Sequence, residues 1–228
     1  MPDFLQFPDR EILMENIAED VADLLAESLE SKGKATLAVP GGTTPAPFLR
    51  LLSQEDIDWQ NVRVMLTDER FVPETSERSN TRLLRETLLQ NKAAAATLVP
   101  MFKPADRPED ILADLEAGIR AALPLDVCVL GMGADKHTAS LFPQADRLPE
   151  ALDDTGAVLL PMPAPDAPEP RLTLTAPVLR ASAHIKVLIT GTDKKAALEE
   201  ALIAGPATES PIRAILDAPT EVEVYYAD

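Results

Sequence analysis

The run Val127-Cys-Val-Leu130 is apolar without interruption and rich in β-branched side chains. Such a segment leaves no face for solvent, so it reads as a strand buried on both sides. Strands of that kind belong to parallel sheets, whose neighbours must be joined by crossovers, usually helical. Ala35–Val39 and Val62–Leu66 are read as further strands, His184–Thr190 as another, and Val222–Tyr226 as a last one at the sheet edge. Asp9 caps a first helix whose Ile12, Leu13, Ile17, Val21, Leu24 and Leu25 follow helical spacing and which Lys32-Gly33 ends. Ser79-Asn80 caps a helix carrying Leu83, Leu84, Leu88 and Leu89. Pro108 starts another with Ile111, Leu112, Leu115 and Ile119, and Ala196 to Ala204 forms one more. Ala93–Ala96 reads as a helix end or connector, and Pro161–Pro170 as an extended loop that delivers Arg171-Leu-Thr-Leu-Thr175 to the body. The alternation predicts residues 1–228 as a single α/β domain, with a mostly parallel, Rossmann-like sheet covered by helices on both faces.

Composition narrows the function classes. With 228 residues and 46% apolar content, the chain can bury a sizeable core. A net charge of −17 argues against nucleic acid and anionic membranes as partners. Any phosphate-bearing ligand must then be held by a few basic residues gathered at one place. The single cysteine, Cys128, lies mid-strand and is expected to be a buried, inert thiol; with two distant histidines it makes no zinc site, so no metal is expected. The amino terminus lacks a basic region and an apolar core, and no apolar run approaches the roughly 20 residues of a membrane helix. A cytoplasmic protein without membrane partners is the expectation.

Polar residues crowd the carboxyl ends of four strands. Pro40-Gly41-Gly42-Thr43-Thr44-Pro45 follows the first, with Thr44 read as a helix cap and Pro45 as the first helical residue. Glycines leading into a helix start can cradle an anion. Asp68-Glu69-Arg70 follows the second strand; alone, such a trio is an ordinary solvated cluster. Gly131-Met-Gly-Ala-Asp135-Lys-His137-Thr-Ala-Ser140 follows the central one, bringing an acid, a base and two hydroxyls within six residues. Gly191-Thr-Asp-Lys194 follows the fourth. Parallel strands place these ends on one rim, where open α/β sheets bind ligands. His184 opens a strand far from the glycine turns and is read as structural.

These motifs, in this order, resemble the glucosamine-6-phosphate isomerase/6-phosphogluconolactonase family on its lactonase side. The quoted residues are Gly41-Gly42-Thr43-Thr44-Pro45, Asp68-Glu69-Arg70 with Ser79-Asn80, Gly131 through Pro143, Arg171 through Thr175, and Gly191 through Lys194. The resemblance implies the fold of glucosamine-6-phosphate deaminase and ribose-5-phosphate isomerase. It also implies hydrolysis of 6-phosphoglucono-δ-lactone in the oxidative pentose phosphate pathway, without metal or organic cofactor, by a monomer or weak homodimer. By the same resemblance His137 is the general base and Asp135 orients it or positions water. The Gly41-Gly42-Thr43-Thr44 loop, Arg171 and Lys194 receive the phosphate, and Asp68 and Arg70 meet the substrate.

Two positions depart from the family pattern, which has glycine where Lys136 and Gln144 stand. If Lys136 needs positive φ, it carries about 1–2 kcal/mol of strain; the alternative is an added cation beside the substrate, and tolerance is the expectation. Two rival readings remain: a deaminase-like aldose–ketose isomerase and a non-catalytic sugar-phosphate sensor. Deaminase relatives carry Asn-Glu where this chain has Leu141-Phe142, which removes a carboxylate that ring opening needs. Sensors usually carry a basic DNA-reading segment, which is absent here.

Overall fold

The computed structural model describes residues 2–163 and 169–228. In chain order the elements begin with β1 (Asp3–Gln6), α1 (Arg10–Lys32), β2 (Ala35–Val39), α2 (Ala46–Leu52), β3 (Val62–Leu66) and β4 (Asp68–Arg70). They continue with α3 (Asn80–Thr87), β5 (Thr97–Leu98), α4 (Leu112–Ala122), β6 (Val127–Gly131), α5 (Leu148–Leu152) and β7 (Leu159–Met162). The last are β8 (Arg171–Leu174), α6 (Ala176–Arg180), β9 (His184–Thr190), α7 (Thr192–Ala201), α8 (Arg213–Leu216) and β10 (Val222–Ala227).

Seven strands form one parallel sheet in the order β1-β10-β9-β6-β2-β3-β5. Every residue of β2 is buried, as are Val127 through Leu130 of β6. Successive strand side chains point to opposite faces, so both faces of the sheet centre are covered. From β2 the chain winds outward through β3 to β5, then returns to the other side of β2 with β6 and proceeds to β9 and β10. The winding therefore reverses between β2 and β6, which opens a crevice at their carboxyl ends. Cys128 is fully buried in β6, where burial pushes its thiol up to about 12.

A second sheet of three antiparallel strands, β4-β8-β7, was not anticipated. It hangs on the end of β3: Thr67 N–H donates to Val39 O at 2.9 Å, and Leu174 N–H donates to Thr67 O at 2.9 Å. Its pairing sets Arg70 directly opposite Arg171. The expected extended loop Pro161–Pro170 starts too early, because Pro161 and Met162 pair with Leu172 and Arg171 in β7 and β8. Residues 164–168 of that loop lie outside the described residues.

Four other readings need correction. Val222–Tyr226 is not an edge strand: β10 lies between β9 and β1, and β1 takes the edge. The mostly exposed β1 has no apolar period to betray it. Thr44 does not cap α2; Pro45 occupies the cap position and no side chain bonds there. The helix expected at Ala196–Ala204 runs Thr192–Ala201, because Gly191 at φ 89 turns the chain straight into it. Pro108–Ile111 is a 3₁₀ turn leading into α4. On α1, Asp9 accepts from Ile12 N–H at 2.9 Å as expected, but Ile12 itself is exposed.

One buried acid joins three elements. Asp126, just before β6, accepts from Thr36 N–H of β2 at 2.8 Å and from Lys32 Nζ of α1 at 2.5 Å. Lys32 is half exposed and can turn to water, so the group stranded by Asp126→Ala is the buried Thr36 N–H. We expect Asp126→Ala to cost about 2 kcal/mol. Urea unfolding checks this, and an unchanged midpoint would mean the carboxylate holds nothing.

Candidate active site

The strand ends meet in a cleft of about 410 Å³. Gly41, Gly42, Thr43, Thr44, Asp68, Arg70, His137, Arg171 and Lys194 all line it. Asp135 stands behind His137 rather than on the cleft wall. The structure thus brings the ten predicted residues together, although they span 154 positions from Gly41 to Lys194.

Steric limits explain the glycines. A Cβ on Gly41 would lie 2.1 Å from Asn80 Cγ, and Gly42 adopts φ 94. A Cβ on Gly133 would lie 2.3 Å from His137 Nδ1 and 2.4 Å from Asp135 Oδ1. Only glycine permits these approaches, so both loops fold against the groups they serve.

The β6 loop builds an acid–base pair. His137 Nδ1 meets Asp135 Oδ1 at 2.6 Å, and the His137 backbone N–H donates to the same oxygen at 3.2 Å. The hydrogen bond from His137 holds the Asp135 carboxyl below the usual carboxylate range, so it accepts and Nδ1–H donates. In that tautomer Nε2 carries the free lone pair. Phe142 packs on the imidazole with ring centroids 5.0 Å apart. Thr138 Oγ donates to Gly131 O at 2.8 Å and closes the turn.

The second sheet supplies the cations. Arg70 and Arg171 are direct cross-strand partners, and the Nε of each is buried without a hydrogen-bond partner among the described residues. Like charges directly opposite on a sheet destabilise it. Burial, then the Arg70 charge, lowers the Arg171 pKa from its ordinary value, and burial lowers that of Lys194. Arg70 Nη1 donates to Arg78 O at 2.7 Å, whereas Lys194 bonds to nothing among the described residues. Asp68 Oδ2 accepts from Ser140 Oγ at 2.6 Å.

Ser140, Phe142 and Asn80 also line the cleft but were not singled out as site residues; Glu69, buried beneath it, was missed as well. Ser140 and Phe142 lie in a motif already quoted, so proximity to His137 was an available signal. Asn80 is quoted in the family motif and read as part of a helix cap, without a role in the site. Among the described residues no group of three or more His, Cys, Asp or Glu could hold a metal ion. No helix of the described chain is long and apolar enough to cross a membrane.

Both departures from the family glycines adopt the left-handed conformation, Lys136 at φ 70 and Gln144 at φ 59. Lys136 Nζ reaches Glu200 Oε2 on α7 at 2.9 Å and is absent from the cleft lining. Lys136→Gly would relieve about 1–2 kcal/mol of strain. Greater unfolded-chain entropy (about 0.5–1 kcal/mol) and loss of a partly exposed ion pair offset it. Stability should therefore change by less than about 1 kcal/mol, with affinity for inorganic phosphate unchanged. Denaturant midpoints and titration calorimetry check this; a several-fold, salt-sensitive loss of affinity would put Lys136 in the site.

Comparison with known proteins converges on one family. The model of the glucosamine-6-phosphate isomerases/6-phosphogluconolactonase family matches residues 8–226. A 6-phosphogluconolactonase from Mesorhizobium japonicum is 48% identical over 224 residues, covering 97% of this chain and 93% of its own. One from Pseudomonas aeruginosa is 42% identical over 212 residues, covering 92% and 89%. The crystal structure of a 6-phosphogluconolactonase from Shewanella baltica superposes with a TM-score of 0.91 at 33% identity, covering 100% of this chain and 98% of that one. This chain belongs to the glucosamine-6-phosphate isomerase/6-phosphogluconolactonase family.

Proposed function

We propose that this chain hydrolyses 6-phospho-D-glucono-1,5-lactone to 6-phospho-D-gluconate, the lactone-opening step of the oxidative pentose phosphate pathway. The observation that carries the reading is one cleft that combines an oriented imidazole with two half-buried arginines, each with a buried Nε that lacks a partner among the described residues. Two opposed arginines need an anion between them, and a phosphate accepts from both forks. Lys194 adds a point charge, and the Gly41–Thr44 loop adds hydroxyls and backbone donors.

With the phosphate held there, the lactone carbonyl falls to His137. Its Nε2 takes a proton from a water molecule as the water oxygen attacks C1. The carbonyl π pair moves onto oxygen to give a tetrahedral alkoxide. That alkoxide collapses, the C1–O5 bond breaks, and the departing ring oxygen takes the proton from the imidazolium. Asp135 keeps the ring in the required tautomer and stabilises its charged form. Asp68, tied to Ser140, is placed for a sugar hydroxyl.

An isomerase would need a further carboxylate against the imidazole; here that neighbour is the apolar ring of Phe142. The reading carries with it a cytoplasmic enzyme, monomeric or weakly dimeric, acting on a small sugar-phosphate lactone. It needs neither metal nor organic cofactor, and neither nucleic acid nor membrane.

The deciding experiment is a coupled assay on freshly generated 6-phosphogluconolactone, with glucosamine 6-phosphate as control; turnover of the control alone would overturn the reading. His137→Ala should fold and lose on the order of 10²–10⁴-fold in kcat. A near wild-type rate would remove the base assignment.

Arg171→Ala and Lys194→Ala should raise KM for the phosphorylated lactone about 10- to 100-fold while scarcely affecting δ-gluconolactone. Equal effects on both lactones would make these residues supports of the fold.

A further inference from the structure

Glu69 stands between two cleft residues, yet its own side chain is 0% exposed. β4 alternates as a strand must: Asp68 and Arg70 face the cleft, and Glu69 turns inward. No cation pairs with it among the described residues. Instead Oε1 accepts from the Arg70 and Asn80 N–H groups at 2.7 and 2.8 Å. Oε2 accepts from Thr81 N–H at 2.7 Å, Thr81 Oγ at 2.6 Å and Ser79 Oγ at 3.2 Å. Three of those donors are backbone amides, which can only donate, so both oxygens must accept. A carboxylate is costly to bury, and an apolar residue could seal β4 against α3 without that penalty.

What the carboxylate touches suggests what it is for. One bond fixes the backbone of Arg70, whose guanidinium faces Arg171. Another fixes Asn80, whose Nδ2 donates to Asp68 O at 3.0 Å. The Asn80 side chain also occupies the space that a Cβ on Gly41 would need. One buried group thereby spans β4, the first turn of α3 and, through Asn80, the Gly41–Thr44 loop. It makes no bond to the loop bearing His137 and Asp135.

We infer that Glu69 is a positioning residue that sets the spacing between Arg70 and the Gly41–Thr44 loop, and so the site's affinity for the substrate's phosphate; this rests on the function proposed above. Glu69→Gln preserves shape but supplies one acceptor oxygen instead of two. Its NH₂ must then face either the Arg70 and Asn80 amides or that of Thr81, all of them donors.

The test is titration calorimetry with inorganic phosphate, alongside kinetics on phosphorylated and unphosphorylated lactone, with folding monitored by circular dichroism. Glu69→Gln should weaken phosphate binding about tenfold or more. It should lower kcat/KM for the phosphorylated lactone by a similar factor relative to δ-gluconolactone. A merely structural residue would instead depress both lactone rates together and leave the Kd of the folded protein unchanged; that result overturns the inference. Should Glu69→Gln fail to fold, Thr81→Val decides, since it removes one hydroxyl donor at 2.6 Å. About threefold weaker phosphate binding supports positioning, and an unchanged Kd overturns it. The phosphate arm does not depend on the lactone being the substrate. A wild-type chain that binds phosphate without opening the lactone sinks the proposed reaction and leaves Glu69 to be judged by Kd. One that binds no phosphate sinks both.

Discussion

Two arginines set face to face across an antiparallel ladder are a constraint that much of the site answers to. At short range they repel, and each keeps a buried Nε without a partner among the described residues. Folding tolerates this because the surrounding chain is acidic, at a net charge of −17, and because Asp68 and Glu169 lie close enough to raise the Arg171 pKa against burial. An anion seated between them, as proposed above, would relieve that cost. A protein of this charge has no long-range field to attract a phosphate ester, so attraction must be local and directional. Guanidiniums suit that need, since their forks match phosphate oxygens and their charge survives desolvation.

Placing those arginines took a second sheet, which also explains how the cleft is walled. β2 and β6 diverge at the switch point, and their glycine loops turn against opposite partners: Gly41 against Asn80, Gly133 against the His137–Asp135 pair. Each contact is too close for any Cβ. The cleft is therefore lined by backbone drawn in tight, with side chains of distant origin filling the remaining space. Ser140 bonded to Asp68 ties the β6 loop to the β4 strand.

The parallel sheet was legible because β2, β3, β6 and β9 each announce themselves by unbroken or alternating apolar runs. The rim of polar strand ends followed from the same reading. The small sheet was not legible, for a physical reason. β4 is three charged or acidic residues with no apolar period, and its partner β8 lies about 100 positions on. β7 contains a proline, which argues locally against a strand and is tolerated because β7 is an edge. Glu69 was hidden by the same ambiguity: a charged trio looks alike whether solvated or folded inward, and only pairing with Leu172 reveals which member is buried.

Lys136 shows how such a site can keep a residue that local preference disfavours. At φ 70 the backbone favours glycine, and nothing in the neighbouring sequence compensates. The compensation is tertiary. Lys136 O accepts from Ile212 N–H at 3.1 Å, and Nζ meets Glu200 on α7, the helix whose first turn carries Lys194. The strained residue thus docks the loop bearing His137 onto the helix bearing the cleft-lining Lys194. A glycine would hold the same backbone shape and the same carbonyl bond, but not the side-chain tie. Strain of about 1–2 kcal/mol at this point is offset partly by that ion pair and partly by the smaller entropy that lysine, compared with glycine, gives the unfolded chain. That balance lets a family glycine be replaced by lysine while the groups that line the cleft keep their places.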